Sequence, residues 1–468
     1  MSKLTKGQQF FSDRSLEFAQ EIYNQNESKI NDILKDQKSN RDEILTQIAK
    51  ILLSYNISNN VLSLNAAEKA KLYSQLSDLI TEKIKSELKN ETEATKGILT
   101  DVANDKYDTN NYIYSLGKDF NITQLDDKQL DEVVNKKLKS ELWSDRIYAN
   151  KNAIAKDLKL QVKKFLKGDI NVNDIENVIK TKYNVNATNA SRLVNTEITR
   201  VQSDANEIWA QEHDIKYQMF MATLDIRTSQ ICREHDGKVY AVDDPDKPIP
   251  PLHPNCRSVL VNLPDKDWRP KMRLDNETKQ NIDWQSYQEW HKNYVENNPE
   301  RLANEKMIKN KSSDNKLYEK YKNILGKEMP KTLADFQKLK YNNSNEWDLL
   351  KDYVKSRSNN MISAFNSFDD YKKYKNLIEN KIVGLTTSNG IKITGQSKHF
   401  IERALGTTED PHTGRPRSGV EINHIKDAIQ NGSIRTRKND PDSIKFITEK
   451  CIVSINPNTG LLIQVNPQ

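Results

Sequence analysis

At 468 residues the chain exceeds what one hydrophobic core organises, so two to four domains are expected. Its 35% apolar and 29% charged residues, with 14 Gly and 14 Pro, exclude full disorder; they suit long solvated helices that rest on partners better than a compact enzyme. The formal net charge is +6 with both signs interspersed, as in Lys35 to Glu43, so charge alone makes no case for a nucleic-acid-binding surface.

From Asp13 to about Thr181 the pattern predicts helix after helix. Leu16, Ala19, Ile22, Tyr23, Ile30, Ile33 and Leu34 form a stripe of 3.6-residue period, and Ile44 to Leu53 and Ala66 to Leu88 repeat it. The Asn- and Asp-rich stretch near Asn104 to Asn111 predicts a break. A further helical block runs from Asp127 to about Lys167, with Gly168 as its C-cap. Asn186 to His213 reads as one long helix carrying Arg192, Thr196, Glu197 and Arg200. Short strands are predicted at Tyr217 to Leu224, Lys238 to Val242 and Ser258 to Leu263, with a proline-punctuated loop (Pro245, Pro248, Pro250, Pro251) before the third. A polar stretch with Trp268, Trp284 and Trp290 leads into helices as far as about Lys381. There Phe336, Leu339, Trp347 and Leu350 have the spacing of a core face. The tail predicts helices at Ser397 to Leu405 and Ile422 to Gln430. Strands follow at Ser443 to Thr448, Ile452 to Ile455 and Leu461 to Val465, the last two joined by an Asn458-Thr-Gly turn.

The three cysteines, Cys232, Cys256 and Cys451, are too few and odd in number for a disulfide scaffold and point to a reducing compartment. No cationic-then-apolar leader opens the chain and no run of about 18 apolar residues occurs, so a cytosolic product without a membrane span is expected.

One constellation carries metal chemistry. Cys232 and His235 form a C-x2-H pair, and His253 and Cys256 form an H-x2-C pair after 17 intervening residues. Two such pairs on turns supply the four soft ligands of a structural zinc, which would staple strands too short to bury a core. The competing readings are a Cys232–Cys256 disulfide or two free thiols. For the fourth position Asp225 or Asp236 are alternatives to His235, or three ligands hold a weaker site. Gly237 suits a tight turn, Pro250-Pro251 holds the approach to His253 extended, and Arg227 and Arg257 are placed to pair with Asp225 and Asp236.

The order Arg192…Thr196-Glu197…Arg200, Asp225-x-Arg227-Thr228-Ser229-x-x-Cys232, Asp236-Gly237-Lys238 and Pro250-Pro251-Leu252-His253-Pro254-Asn255-Cys256-Arg257-Ser258 resembles the phage Mu F-type head morphogenesis family over about Ala187 to Leu263. The resemblance implies a minor capsid protein, made in the host cytoplasm and built into the virion head in few copies. It implies portal, capsid and scaffold proteins as partners, with contact to packaged DNA a further expectation.

In the tail, Ser397-Lys398-His399-Phe400-Ile401-Glu402-Arg403 places His399 and Arg403 on one helix face. Arg415, Arg417, Arg435, Arg437 and Lys445 lie downstream. This helix, a second helix and a terminal β-meander resemble ribonuclease toxins of the barnase–EndoU–colicin–RelE superfamily over about 80 residues. The resemblance implies metal-independent RNA cleavage. His399 would be the acid/base group and Arg403 the phosphate clamp, with Arg417 and Arg435 as further candidates and Ser454 or Asn456 facing the site from the strands. The bland alternatives are that His399 packs the helix and that the basic loop grips DNA. The architecture expected is therefore mainly α and multidomain: helical docking residues 1–185, a zinc-knuckle-like α+β head morphogenesis domain at 186–264, a helical linker at 265–385, and an α+β nuclease-like domain at 386–468.

Overall fold

The computed structural model describes residues 6–115, 121–263, 265–437 and 440–468. The chain divides into two compact units, Met1–Val295 and Glu296–Gln468.

The first unit begins with two very long helices, α1 (Lys6–Ser54) and α2 (Ala66–Ser115). A tight turn joins them, closed by β1 (Ile57–Ser58) and β2 (Val61–Leu62). Then come α3 (Asp127–Val134), α4 (Trp143–Lys167) and α5 (Ile175–Glu212). Leu72, Leu76, Ile80 and Ile84 recur one turn apart on α2 and pack with Ile44, Ile48, Leu158, Val162, Phe165 and Ile179 in one apolar cluster. A second cluster joins Ile22, Ile30, Ile33, Ile98, Leu99, Val102, Trp143, Ile147, Val194 and Ile198. Of the predicted α1 stripe, Leu16, Ala19 and Tyr23 are side chains outside the described residues. The clusters take different stretches of α2, and the polar residues Glu87 and Glu91 fall between. Lys151, 1% exposed, bridges Glu87 at 2.9 Å and Glu91 at 2.7 Å, while Gln37 ties Glu91 to Asn186. Burial pushes the Glu87 carboxyl above its usual range against the pull of Lys151.

Gly168 caps α4 in the left-handed region, as predicted (φ 91°). The break expected at Asn104 to Asn111 does not exist: α2 runs through it. Asn110 donates to Asn206, and Asn111 donates to the Thr123 carbonyl while accepting from the Trp209 indole N–H. Side chains that would otherwise compete with the helix backbone have buried partners instead. Helix α5 also crosses residues 185 and 186, so the helical framework and the module behind it share one element.

That module is a small antiparallel sheet, ordered β4-β3-β5, made of β3 (Tyr217–Met221), β4 (Val239–Ala241) and β5 (Val259–Leu263). Helix α6 (Gln230–His235) lies between β3 and β4. Alternation along β3 and β5 sends Met219, Met221, Val261 and Leu263 into a cluster with Trp268. Phe220 and Leu260 pack with Cys232 and Cys256. A hairpin, β6 (Met272–Asp275) with β7 (Gln280–Asp283), and α7 (Tyr287–Trp290) complete the unit.

The second unit opens with five helices, α8 (Pro299–Lys309), α9 (Lys311–Leu325), α10 (Leu333–Asn342), α11 (Ser344–Ser358) and α12 (Phe368–Lys381). They are followed by β8 (Gly395–Gln396), α13 (Lys398–Leu405), α14 (Ile422–Asn431), β9 (Ser433–Arg437), β10 (Asp440–Ile447), β11 (Cys451–Ile455) and β12 (Leu461–Pro467). The strands form one sheet in the order β8-β12-β11-β10-β9. One apolar cluster unites Phe336, Leu350, Tyr353, Tyr371 and Ile378 with Phe400, Ile401, Ile425, Phe446 and Val453. The helices and the sheet, expected to separate near residue 385, therefore share a core. Among the described residues no helix is long and apolar enough to cross a membrane.

Lys151→Ala leaves two buried carboxylates without their cation and is expected to destabilise the first unit by about 3–5 kcal/mol, with Lys151→Met less damaging. Urea unfolding followed by circular dichroism reads this; an unchanged midpoint for both variants would contradict the role given to the polar layer.

Candidate functional site

Helix α5 is the wall on which the Cys/His loop is mounted. Thr196 Oγ1 accepts from the Asn255 N–H at 3.0 Å, and Thr199 Oγ1 donates to the Cys256 carbonyl. Between them Glu197 faces the other way. It meets Arg200 at 2.6 Å and Arg146 at 3.0 Å, and Arg200 also reaches Asp204 and the Val133 and Val134 carbonyls. The loop turns tightly: the Pro250–Pro251 peptide is cis, Asn255 sits in the left-handed region (φ 57°), and the Cys256 N–H donates to the His253 carbonyl at 3.1 Å. On the other side Ser229 caps α6 by accepting from the Cys232 N–H.

These two segments bring Cys232, His253 and Cys256 together, with ligand atoms all within 4.8 Å of one another. Cys232 Sγ lies 3.3 Å from His253 Nε2 and 3.8 Å from Cys256 Sγ. Tetrahedral zinc with Zn–S of about 2.3 Å and Zn–N of about 2.05 Å requires about 3.8 Å between sulfurs and about 3.6 Å between sulfur and nitrogen. The donor set fits. It does not fit a disulfide, whose sulfurs lie about 2.05 Å apart; all three cysteines are free thiols. His253 Nδ1 is 2.8 Å from the Pro254 carbonyl, an orientation that turns Nε2 toward the sulfurs. The hydrogen bond between the two sulfurs holds Cys256 below the usual thiol range despite burial, and His253 supports the same shift. Cys232 is raised, by that hydrogen bond and by burial. A cation bound between the two sulfurs would take thiolate ligands, so binding would release protons.

His235 does not join the group. Its Nδ1 is 2.8 Å from the Tyr240 hydroxyl and its ring leans on Phe220, so the C-x2-H spacing reflects packing on β4. Nor do the two aspartates join it. Asp225, 1% exposed, pairs with Arg257 and at 3.4 Å with Arg227. Burial raises its carboxyl, but the two arginines outweigh that and hold it below the usual range. Asp236 is held instead by Arg273, at 2.9 and 3.0 Å, and by the Ala222 and Tyr287 N–H groups. Sequence reasoning missed Arg273, Thr199 and Arg146. Between Thr196 and Asn206 the apolar residues Ile198, Val201 and Ala205 keep an ordinary amphipathic spacing, so no local signal marked the polar side of α5 as buried too.

In the second unit, Ser397 caps α13 and its hydroxyl donates to the Ile463 carbonyl at 2.7 Å, pinning the helix to β12. His399 Nδ1 lies 3.4 Å from Glu402 Oε2, Arg403 Nε lies 3.4 Å from His399 Nε2, and Arg403 Nη1 reaches Asn466 on β12 at 3.3 Å. Burial raises the Glu402 carboxyl, but hydrogen bonds from His399 and Ser356 outweigh it, so Glu402 stays ionised beside the imidazole. Arg417 is buried against Asp410 and also donates to the Met361 and Glu402 carbonyls, and Arg403 stands 3.5 Å from the same aspartate. Arg417 thus holds a loop in place. Arg435, Lys445, Ser454 and Gln464 are register neighbours across β9, β10, β11 and β12, so they share one sheet face, opposite the Phe446, Val453 and Val465 face that meets the helices. Asn466, two residues on from Gln464, carries that face to Arg403. The Arg437 side chain is outside the described residues.

The molecule thus holds a small α+β module whose sheet, loop and three-residue metal-competent group hang on one long helix. Residues 156–261, which span that helix and the sheet to within two residues of its end, match the family described as Phage Mu protein F like protein. No curated protein and no solved structure matches the chain.

Because the Asp225 carboxyl sits below its unfolded value, it adds stability above about pH 4 and loses it as pH falls through the folded value. Asp225→Asn is expected to cost on the order of 2 kcal/mol at neutral pH, less than a fully buried pair because Arg257 keeps some exposure, and to flatten the acid limb of the stability curve. Thermal melts between neutral and acid pH check this; parallel curves for wild type and variant would refute it.

Proposed function

We propose that this chain is a minor head component of a tailed bacteriophage, built into the procapsid beside the portal protein, with capsid and scaffold proteins as its other partners. The match of residues 156–261 carries the reading. The long paired helices support it, since α1 and α2, of 49 and 50 residues, present far more solvated surface than a catalytic scaffold needs. In this reading Cys232, His253 and Cys256 hold a structural zinc that keeps the loop on α5 rigid. The test is composition: quantitative mass spectrometry of purified heads is expected to find the chain at a few copies per particle, cross-linked to the portal protein. Heads that contain none of it would end the reading.

A second reading of the tail is favoured by the contact of His399, Arg403 and Asn466. A neutral imidazole next to a guanidinium can take a proton from a ribose 2′-hydroxyl while the cation steadies the phosphate. The second unit then carries a metal-independent ribonuclease of the toxin type, delivered with the head. Because the helices and the sheet share a core, the full chain is the proper sample. Total RNA is expected to be cut by the wild type in the presence of EDTA and at least about 100-fold more slowly by His399→Ala. No cutting by either would remove the enzymatic reading and leave the structural one.

A further inference from the structure

A zinc site that serves only as a staple has four protein ligands. Here, among the described residues, three His, Cys, Asp or Glu side chains converge and no fourth joins them. The neighbours with the right chemistry to complete the set are committed elsewhere: His235 to Tyr240, Asp225 to Arg257, Asp236 to Arg273. The two cysteines are buried, but His253 is not, and it lines a groove of about 550 Å³ between the Pro-rich loop and α5. The other wall includes Arg192 and Thr196, one helical turn apart, with Asn189, Asp145 and Glu141. Thr196 is already engaged by the loop. Arg192 makes one hydrogen bond, to Asn189 at 3.1 Å, and no carboxylate pairs with it among the described residues. It is the residue of the Arg192…Thr196-Glu197…Arg200 run that the fold does not use.

We propose that the Cys232–His253–Cys256 centre is an open, three-ligand metal site whose fourth position takes a carboxylate from outside the chain, with Arg192 gripping the second oxygen across the groove. The inference rests on the metal reading above and extends it. The groove selects the ligand class. A guanidinium fork matches a carboxylate in geometry and charge. Asp145 and Glu141 also line the groove but are offset there by Lys139 and by Arg146, which pairs with Glu141 and Glu197, so the choice of a carboxylate rests on its being an ordinary zinc donor that a guanidinium can hold at the same time. The carboxylate comes either from a free organic acid or from an Asp or Glu side chain of a protein laid along the groove, and both bring the same donor.

The test uses the full chain loaded with Co²⁺ in place of zinc, whose visible absorption reports coordination. Acetate, an uncharged-end peptide with a single Glu, and its Gln counterpart are titrated into wild type, Arg192→Ala and Cys256→Ser. In the wild type, acetate and the Glu peptide are expected to change the cobalt spectrum saturably and the Gln peptide is not. Arg192→Ala is expected to keep its cobalt and bind acetate about tenfold more weakly, the loss of one charge-assisted hydrogen bond. Tighter binding of the Glu peptide than of acetate assigns the groove to a protein partner; equal binding assigns it to a free acid. A wild-type chain that takes up no cobalt or zinc defeats the metal reading itself. A loaded chain whose spectrum ignores every carboxylate shows a closed site and overturns this inference alone. An undiminished acetate response in Arg192→Ala removes Arg192 from it.

Discussion

Two hydroxyls on one helix hold the candidate site together. Thr196 receives the Asn255 N–H and Thr199 donates to the Cys256 carbonyl, so the loop bearing His253 and Cys256 is fixed to α5 through two consecutive residues of its turn. The buried charges on the other side of the helix keep α5 in place. Glu197, between the two threonines, faces a buried chain of charge through Arg146, Arg200 and Asp204, and Arg200 also satisfies two carbonyls at the end of α3. Such charges are costly to bury and are tolerated where each donor and acceptor has a partner in good geometry. The result is a helix whose rotation and height are both set, and a loop whose sulfurs and imidazole meet at metal-ligand separations.

The rest of the first unit shows the same use of polar layers. Apolar clusters on either stretch of α2 would let four long helices slide by a turn, because one heptad-like layer packs much as the next does. The Lys151–Glu87–Glu91 group is satisfied in one alignment only, and it extends through Gln37 to Asn186 on α5. The alignment of the bundle and the placement of the loop are therefore linked through one helix. In the second unit the link is apolar: the aromatic helices and the terminal sheet bury each other, and α13 is fastened to β12 by Ser397. The C-terminal sheet is thus part of a larger folded body.

Much of this was readable from the residues, for identifiable reasons. Gly168 and Gly237 stand at positive φ, where a glycine near a polar turn is a strong local signal. The three short strands of the module and the last two strands of the chain fell where β-branched runs end at turn residues. The Cys232, His253 and Cys256 convergence was legible from spacing, but spacing did not separate His235, which has the right interval and the wrong direction. The Asn104 to Asn111 stretch misled because asparagine favours turns when its side chain has only its own backbone to bind. In α2 it has Asn206, Trp209 and Thr123 instead, and those partners lie far away in sequence. The β6–β7 hairpin and β9 were missed because each strand holds only one or two apolar residues, too few for an alternation to stand out, with Arg273 drawn inward by Asp236. Long-range ion pairing leaves no local periodicity to read.

Under the proposed reading, a module locked by a metal and by a helix at once would suit assembly in a crowded shell, and the groove beside His253 would give that lock a surface for a partner. The central claim is that two sulfurs and one imidazole of this chain meet at one ion. Zinc K-edge X-ray absorption on the purified full chain measures this directly. The structure predicts two sulfur scatterers at about 2.3 Å and a single imidazole, with a light atom completing the shell. Two imidazoles would bring His235 back into the site, and a protein that retains no zinc, or whose sulfurs are absent from the shell, would contradict the account.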